Sequence, residues 1–268
     1  MALSIFQTIT AALMLMLWVA PVTAQVDSRS SPIQLDAGIE MSVSPECSVP
    51  MSMLYTTGAL PNVASAVELK RPIQALALGS FPSGSFGSGP GTVKYTIHLQ
   101  AELQRVLPGA TVSVEGRRLP GEITAGAPEY ITNTVLEVRP DLVIWSAGTQ
   151  DALARVDINS FVTEVGEILG WLRSHNVDVV IVEPPYAAAV ADDEHYSTLV
   201  RSLRGIAQRE LVPVVLRYDV MRYLLGQQTE STEQHFRLHD LGRRCTPEYV
   251  ARAVGASLAR SKSNRKRD

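Results

Sequence analysis

The sequence predicts an α/β protein, a three-layer α/β/α sandwich built around a flavodoxin-like, five-stranded parallel sheet. Five short apolar segments alternate with longer segments in which apolar residues recur at helical spacing. The segment Leu142–Trp145 is apolar throughout, as expected of a strand that is buried on both faces. Right-handed crossovers and the strand order 2-1-3-4-5 are the usual arrangement for such an alternation.

Composition and charge narrow the possible classes of protein. The chain has 268 residues, of which 46% are hydrophobic, and a formal net charge of -3. This length fits one domain with tails, and the apolar fraction is sufficient for a full core. The negative net charge argues against a broadly basic nucleic-acid-binding protein. The segment Arg260–Asp268 carries five basic side chains and predicts a disordered tail.

Residues 1–24 have the features of a secretory signal peptide. They contain no charged side chain, include the apolar run Ala11–Ala20, and end in the small-x-small pattern Val22-Thr23-Ala24. Because no Lys or Arg lies near the start, an uncleaved membrane anchor is the alternative. Either interpretation predicts an exported protein, periplasmic or secreted. No second segment is long enough to span a bilayer, so no membrane span is expected after signal cleavage.

The two cysteines, Cys47 and Cys245, are an even pair in a chain that is predicted to enter an oxidising compartment. Such a pair predicts a disulfide. It would link the segment before the first strand to the start of the last helix. The alternative is two separately buried thiols.

The elements follow from apolar period and from stop signals. Residues 25–46 show no clear period and are predicted to be an irregular lead-in to a domain that spans residues 47–259. A weak helical pattern covers Cys47–Leu69. The predicted strands are Ala75–Leu78, Thr111–Glu115, Leu142–Trp145, Val177–Val182 and Val212–Leu216. The predicted helices are Val93–Leu107, Glu129–Val138, Asn159–His175, His195–Glu210, Val220–Leu225 and Thr246–Arg260, the last with Thr246 as its N-cap.

The loops that follow the strands are the expected place for a site, since ligands bind at the carboxyl edge of open parallel sheets. The first of these loops, Gly79–Gly91, consists almost wholly of Gly, Ser and Pro. The others begin near Gly116, Ser146, Glu183 and Tyr218. No group of His, Cys, Asp and Glu has the spacing of metal ligands, so neither a metal nor another cofactor is expected.

Four sequence blocks at this edge resemble those of the SGNH (GDSL-type) hydrolases. They are Leu78-Gly79-Ser80, Gly121-Glu122, Gly148-Thr149-Gln150-Asp151 and Leu238-His239-Asp240-Leu241-Gly242. The resemblance runs from about Cys47 to about Leu258. Exported bacterial members of the family are similar also in Glu183-Pro184-Pro185-Tyr186, in Arg217–Arg222 and in a Cys before the last helix. The resemblance implies an SGNH hydrolase-like fold and metal-free hydrolysis of esters, often acetyl esters of sugars or polysaccharides.

The mechanism implied by this resemblance is acyl transfer. A Ser attacks the ester carbonyl, a His carries its proton, and an Asp three residues before the His orients the imidazole. The backbone N–H groups of the Ser and of a Gly, with the amide of an Asn, bind the oxyanion. Carried over to this chain, the Gly is Gly121 and the amide belongs to Gln150, which is one methylene longer than Asn and precedes Asp151.

The nucleophile and base blocks depart from the family pattern. In the family the nucleophile lies two residues after the Gly, and here Phe81 occupies that position while Ser80 takes the place of the family's Asp. In the last block, an imidazole and an acid three residues before it do not coincide in any register. The alternatives are Arg237 with Gln234, His239 with Phe236, and His235 without an acid.

Two functions follow as hypotheses. The first is an ester hydrolase with an altered site, in which Ser80 is the nucleophile, His239 the base, and Gly121 and Gln150 the oxyanion donors. The second is a catalytically inactive SGNH-fold protein that binds a glycan or a protein partner at the same edge, where Phe81 would stack on a sugar. A structural alternative for Gln150 and Asp151 is that they only hydrogen-bond loop backbone, as is common at strand ends.

Overall fold

The structure, a computed structural model, describes residues 42–80, 90–124, 126–227 and 233–265. Its strands are β1 (Ile73–Gly79), β2 (Val112–Arg117), β3 (Leu142–Ser146), β4 (Asp178–Val182) and β5 (Val214–Val215). Its α-helices are α1 (Pro61–Glu68), α2 (Pro90–Val106), α3 (Pro128–Val138), α4 (Thr149–Leu153), α5 (Ile158–Ser174), α6 (Glu194–Arg209), α7 (Arg217–Gly226) and α8 (Glu233–Arg265). Short 3-10 helices lie at Pro45–Cys47, Met51–Met53, Pro120–Glu122 and Ala188–Val190.

The five strands form one parallel sheet in the order β2-β1-β3-β4-β5. The predicted fold class and strand order are therefore confirmed. In the register of the sheet Gly79 pairs with Ser146, and Ser146 pairs with Val182. The carboxyl ends of β1, β3 and β4 consequently lie side by side, so the residues that follow them are neighbours.

Helices cover both faces of the sheet because successive side chains of each strand point to opposite faces. On β1, Ala75 and Ala77 face the core formed with α1, α2, α7 and α8. Leu76 and Leu78 face the core formed with α3, α4, α5 and α6. All four side chains are fully buried. The unbroken apolar character of these strands is thus explained by burial on both sides.

The predicted disulfide between Cys47 and Cys245 is present, with the two Cα atoms 5.4 Å apart. Polar contacts reinforce this junction between the start of the described chain and α8. The carboxylate of Glu248 accepts hydrogen bonds from the backbone N–H of Ser44 at 2.6 Å and from its hydroxyl at 2.8 Å. The hydroxyl of Tyr249 donates to the carbonyl of Cys47 at 2.7 Å.

The last helix begins earlier than predicted. The sequence places its start at Thr246, whereas α8 begins at Glu233 and contains Pro247 in its interior. The hydroxyl of Thr246 donates to the carbonyl of Gly242, one turn back, at 2.5 Å. Thr246 is therefore an interior residue and not an N-cap, and the block Leu238–Gly242 lies within the helix rather than in a loop before it.

The last helix also ends later than predicted. The sequence predicts a disordered tail from Arg260, but α8 continues to Arg265. Arg260 Nε donates to the carbonyl of Gly58 at 2.9 Å, and the buried hydroxyl of Ser261 accepts from the N–H of Leu60 at 3.2 Å. These contacts hold the additional turn against the segment that precedes α1.

Some predictions concern residues that the structure does not describe. The signal peptide at residues 1–24, residues 25–41 of the lead-in and Phe81 lie outside the described ranges. Within those ranges, no helix combines the length and the apolar character needed to cross a membrane.

Candidate active site

The end of β1 is held against β3 by a glycine. Gly79 has a φ of 94°, and a Cβ at this position would lie 2.2 Å from the carbonyl oxygen of Ser146. Only glycine permits both this backbone conformation and this approach. The next residue, Ser80, is half-buried and lies at the carboxyl edge of the sheet. The edge position expected for Ser80 is thus the one that the fold gives it.

Gly121 lies beyond the end of β2, the neighbour of β1 on one side. It forms part of the 3-10 helix Pro120–Glu122 and has a φ of 64°. It is exposed, and a Cβ added to it would meet no atom of the described residues within 4 Å. Among those residues, the space beside the Cα of Gly121 is therefore open.

Gln150 and Asp151 lie in α4, which follows β3, the neighbour of β1 on the other side. Gln150 is half-buried, and Asp151 is 0% exposed. Asp151 Oδ1 accepts a hydrogen bond from the backbone N–H of Thr124 at 2.8 Å. Since Thr124 follows Gly121 by three residues, the carboxylate links the Gly121 segment to the helix of Gln150. Asp151 therefore hydrogen-bonds loop backbone, as one of the sequence interpretations expected.

The start of α4 is fixed by close packing. Gly148 has a φ of 88°, and a Cβ there would lie 2.8 Å from a methyl group of Leu199 and 3.3 Å from the ring of Phe161. The hydroxyls of Thr124 and Thr149 are buried and have no hydrogen-bond partner among the described residues. Unsatisfied buried polar groups are uncommon and concentrate at functional sites. Here they lie at the two segments that Asp151 joins.

The imidazoles of His98, His175 and His195 have neighbours other than Ser80. His98 lies 3.8 Å from Glu102 on α2, and His175 stacks on Trp171 with the ring centroids 3.9 Å apart. The pKa of Asp193 is lowered mainly by its hydrogen bond with Arg155, and His195 adds a smaller effect in the same direction. His239 belongs to α8 by its backbone, and its side chain is outside the described part of the structure. No group of His, Cys, Asp and Glu in the described ranges is arranged to hold a metal ion.

A buried ion-pair network lies beside this edge, and the sequence interpretation did not identify it. Glu183, directly after β4, is fully buried and pairs with Arg204 of α6, whose Nη2 lies 2.8 Å from Glu183 Oε2. Arg204 Nη1 also lies 2.7 Å from Asp219 of α7. Burial raises the pKa of Glu183 to about 7 although Arg204 opposes this shift. The sequence contained one signal for this network, because Glu183 is an acidic residue that directly follows an apolar strand.

Three tyrosine rings pack together next to the ion pairs of Glu183, Arg204 and Asp219. The rings of Tyr186 and Tyr218 meet edge to face, with their centroids 5.3 Å apart. Tyr196 lies beside Tyr218 at 6.1 Å and donates its hydroxyl proton to the carbonyl of Pro185 at 2.7 Å. Tyr186 is half-buried.

Comparison with protein families identifies the lineage. The sequence profile of the Non-GDSL lipase-like family matches residues 46–260. The chain belongs to this family. The matched range agrees with the predicted extent of the resemblance, about Cys47 to about Leu258, and the family relationship to SGNH/GDSL-type hydrolases is confirmed. Among curated proteins, none matches this chain.

Solved structures of hydrolases share the fold at low sequence identity. A lipase/acylhydrolase from Enterococcus faecalis is 17% identical, with a TM-score of 0.56, and the alignment covers 69% of this chain and 96% of that one. An acetyl xylan esterase is 18% identical, with a TM-score of 0.53 and coverage of 66% and 98%. A two-domain esterase active on acetylated mannans is 15% identical, with a TM-score of 0.54 and coverage of 75% and 56%. These similarities show an esterase-like fold.

Proposed function

We propose that this protein is an exported ester hydrolase that cleaves acyl or acetyl esters at the carboxyl edge of its sheet. Ser80 is the nucleophile, His239 the base, and the N–H of Gly121 with the amide of Gln150 are the oxyanion donors. The observation that supports this proposal is the buried carboxylate of Asp151, which joins the Gly121 segment to α4. Two donor groups on opposite sides of Ser80 are thereby kept in a fixed relation, as oxyanion stabilisation requires.

The reaction proceeds by acyl transfer. Ser80 Oγ attacks the ester carbonyl carbon while its proton passes to the imidazole of His239. The carbonyl oxygen becomes an oxyanion, which accepts hydrogen bonds from Gly121 N–H and from the Gln150 amide. The bond to the alcohol then breaks, and the alcohol leaves with the proton from the imidazole. Water attacks the acyl-serine in the same way and releases the carboxylic acid.

Acetyl esters of glycans are the substrate class that we propose. Two proteins of the same fold act on such esters, an acetyl xylan esterase and an esterase active on acetylated mannans. The half-buried ring of Tyr186 supports this choice, because aromatic rings at site edges pack against sugar faces. A predicted signal peptide at residues 1–24 would deliver the enzyme to the compartment in which extracellular glycans are found.

The test is hydrolysis of 4-nitrophenyl acetate by the purified mature chain, followed by the same assay on Ser80→Ala. We expect the variant to lose at least about 100-fold in kcat/KM, since no other group forms the acyl intermediate. Ser174→Ala is the matched control, because Ser174 is an exposed serine at the end of α5, towards the opposite edge of the sheet. Equal activity of Ser80→Ala and the wild type would refute the assignment of the nucleophile.

The second candidate function is a catalytically inactive protein that binds a glycan or a protein partner at this edge. Phe81 at the family's nucleophile position favours it. A serine-directed fluorophosphonate separates the two functions. Covalent labelling that disappears in Ser80→Ala supports the hydrolase, and unlabelled but folded protein supports the binding protein.

A further inference from the structure

Arg217 is a buried cation at the same edge of the sheet. It is the first residue of α7, separated from the end of β5 by Leu216, and only 3% of its surface is exposed. Its side chain reaches β3, where Nη1 donates to the hydroxyl of Ser146 at a long 3.5 Å. Because Ser146 pairs with Gly79, the guanidinium lies close to the strand end that carries Ser80.

Arg217 has no acidic partner among the described residues. Its Nε is buried without a hydrogen-bond partner, and no described carboxylate forms an ion pair with it. Two acids that follow β4 and β5 at this edge, Glu183 and Asp219, are already engaged by other arginines. Glu183 is bound by Arg204, and Asp219 by Arg204 and Arg222 at 2.7 and 3.2 Å.

The phenols near Arg217 do not supply the missing negative charge. Arg217 lies close enough to Tyr95 and Tyr196 to influence their ionisation, but burial is the larger effect and raises the pKa of both hydroxyls. Both are therefore neutral at physiological pH. Burial also lowers the pKa of Arg217 to about 10, which leaves the guanidinium charged at pH 7. A buried charge without a partner is unfavourable, so an anion that binds there would compensate it, against the cost of desolvating the anion.

We infer that Arg217 binds the carboxylate of an acidic sugar, and that the substrate class of this protein is an acetylated acidic glycan. The planar guanidinium matches a carboxylate through two parallel hydrogen bonds. Arg217 contacts Ser146, which pairs with Gly79, the residue before Ser80, so we place the bound sugar at this edge of the sheet. The hydrolytic part of this inference rests on the proposed function, whereas the binding part does not.

Acetate release from O-acetylated glucuronic acid and from O-acetylated glucose tests the hydrolytic part. The two substrates differ only at C6, where one carries a carboxylate and the other a hydroxymethyl group. We expect a kcat/KM at least about 10-fold higher for the acidic sugar, and we expect Arg217→Met to lose about 30-fold or more on that substrate. Arg222→Met removes a charge from an exposed position of the same helix and should retain the preference. Equal rates on both sugars with the wild type would overturn the inference and leave the proposed function intact.

Binding of glucuronate, glucose and inorganic phosphate, measured by thermal shift and calorimetry, tests the binding part without any turnover. Glucuronate should raise the midpoint temperature of the wild type but not that of Arg217→Met. Glucose should give no shift that depends on Arg217. This result without ester hydrolysis would retain the carboxylate site and reject the hydrolase. A response to phosphate alone, or to no ligand, would overturn the carboxylate assignment.

The stability of the ligand-free variant provides an independent check. Replacing a buried, unpaired cation by an apolar side chain of similar length should raise the midpoint temperature of unfolding. A lower midpoint for Arg217→Met, with the sugar preference unchanged, would make Arg217 a structural residue and overturn the inference. If the variant does not fold, the wild-type sugar preference and the glucuronate shift decide the matter alone.

Discussion

Substitution of Asp151 separates the structural role of this buried carboxylate from its contribution to the site. Asp151→Ala removes the acceptor for the N–H of Thr124, which is 0% exposed and would be left without this partner. Asp151→Asn keeps an acceptor oxygen for this N–H, removes the charge and replaces the second oxygen by an NH2 donor. The two variants should therefore differ in severity although both alter the same side chain.

The expected magnitudes follow from one buried hydrogen bond to a charged group. Such a bond contributes about 1.5–3 kcal/mol, and an orphaned buried donor costs a similar amount. We therefore expect Asp151→Ala to lower the free energy of unfolding by about 2–3 kcal/mol, and Asp151→Asn by about 1 kcal/mol. If the Gly121 segment moves away from Gln150, one oxyanion donor is lost, which corresponds to about 100- to 1,000-fold in kcat.

Urea denaturation and hydrolysis of 4-nitrophenyl acetate measure the two effects on the same samples. Asp157→Ala is the matched control, because Asp157 accepts from the N–H of Ser160 at 2.9 Å but is exposed at the N-cap of α5. We expect that control to lose about 1 kcal/mol of stability and to keep its activity. If Asp151→Ala had the same urea midpoint of unfolding as the wild type, the role of Asp151 in linking the two segments would be refuted. An activity loss no larger than that of Asp157→Ala would refute the connection to the oxyanion donors.

Three further predictions concern stability. Replacing Cys47 and Cys245 by Ser opens a loop with a sequence separation of 198 and should lower the free energy of unfolding by up to about 5 kcal/mol in urea titrations; no change would mean that the disulfide does not form. Gly79→Ala should lower the free energy of unfolding by more than about 3 kcal/mol, because its Cβ would meet a carbonyl oxygen at 2.2 Å. Gly109→Ala is the control, since Gly109 has a φ of 83° and open space, and it should lower this free energy by only about 1–2 kcal/mol. Equal losses in the two variants would contradict the close approach at Gly79. Burial raises the pKa of Asp178 from 3.8 to about 7, so its contribution to stability is complete below about pH 4 and is lost as the pH rises through 7. Asp178→Asn should therefore gain stability relative to the wild type, by up to roughly 4 kcal/mol, between pH 4 and pH 8, and a pH-independent difference would contradict this shift.

The sheet could be predicted from the sequence because its signal is local. Strands buried on both faces need continuous apolar runs, and segments such as Leu142–Trp145 have no other explanation of comparable simplicity. The order 2-1-3-4-5 was expected because it is a common order for such an alternation with right-handed crossovers. The disulfide could also be predicted, since an even pair of cysteines in an oxidising compartment favours a disulfide over two buried thiols.

The start of the last helix could not be predicted because its strongest local signal misleads. Thr246-Pro247-Glu248 has the pattern of a helix start, yet α8 passes through it. The flanking residues Cys245, Tyr249 and Val250 are all buried, and their packing, with the disulfide, outweighs the hydrogen bond that Pro247 cannot make. Tertiary contacts of this kind leave no trace in a short sequence window.

The sequence contains a signal that Arg217 is buried, and the sequence interpretation did not use it. Arg217 occupies the same helical stripe as Val220, Met221 and Leu224, which are the buried apolar residues of α7. A charged residue on an apolar stripe predicts either a buried ion pair or a binding role. The choice between these two needs the structure, because only the structure shows that Glu183 and Asp219 are bound by other arginines.

The arrangement of this edge makes ligand binding separable from catalysis. The proposed oxyanion donors at Gly121 and Gln150 lie on segments that Asp151 joins, and the proposed carboxylate site at Arg217 is buried, so neither depends on the side chain of Ser80. An acetylated acidic sugar would therefore be bound whether or not Ser80 reacts. Ser80→Ala should retain the glucuronate-dependent thermal shift of the wild type while losing ester hydrolysis. Loss of both in a folded Ser80→Ala variant would mean that Ser80 contacts the ligand before any reaction, and the two roles would then have to be assigned to one group.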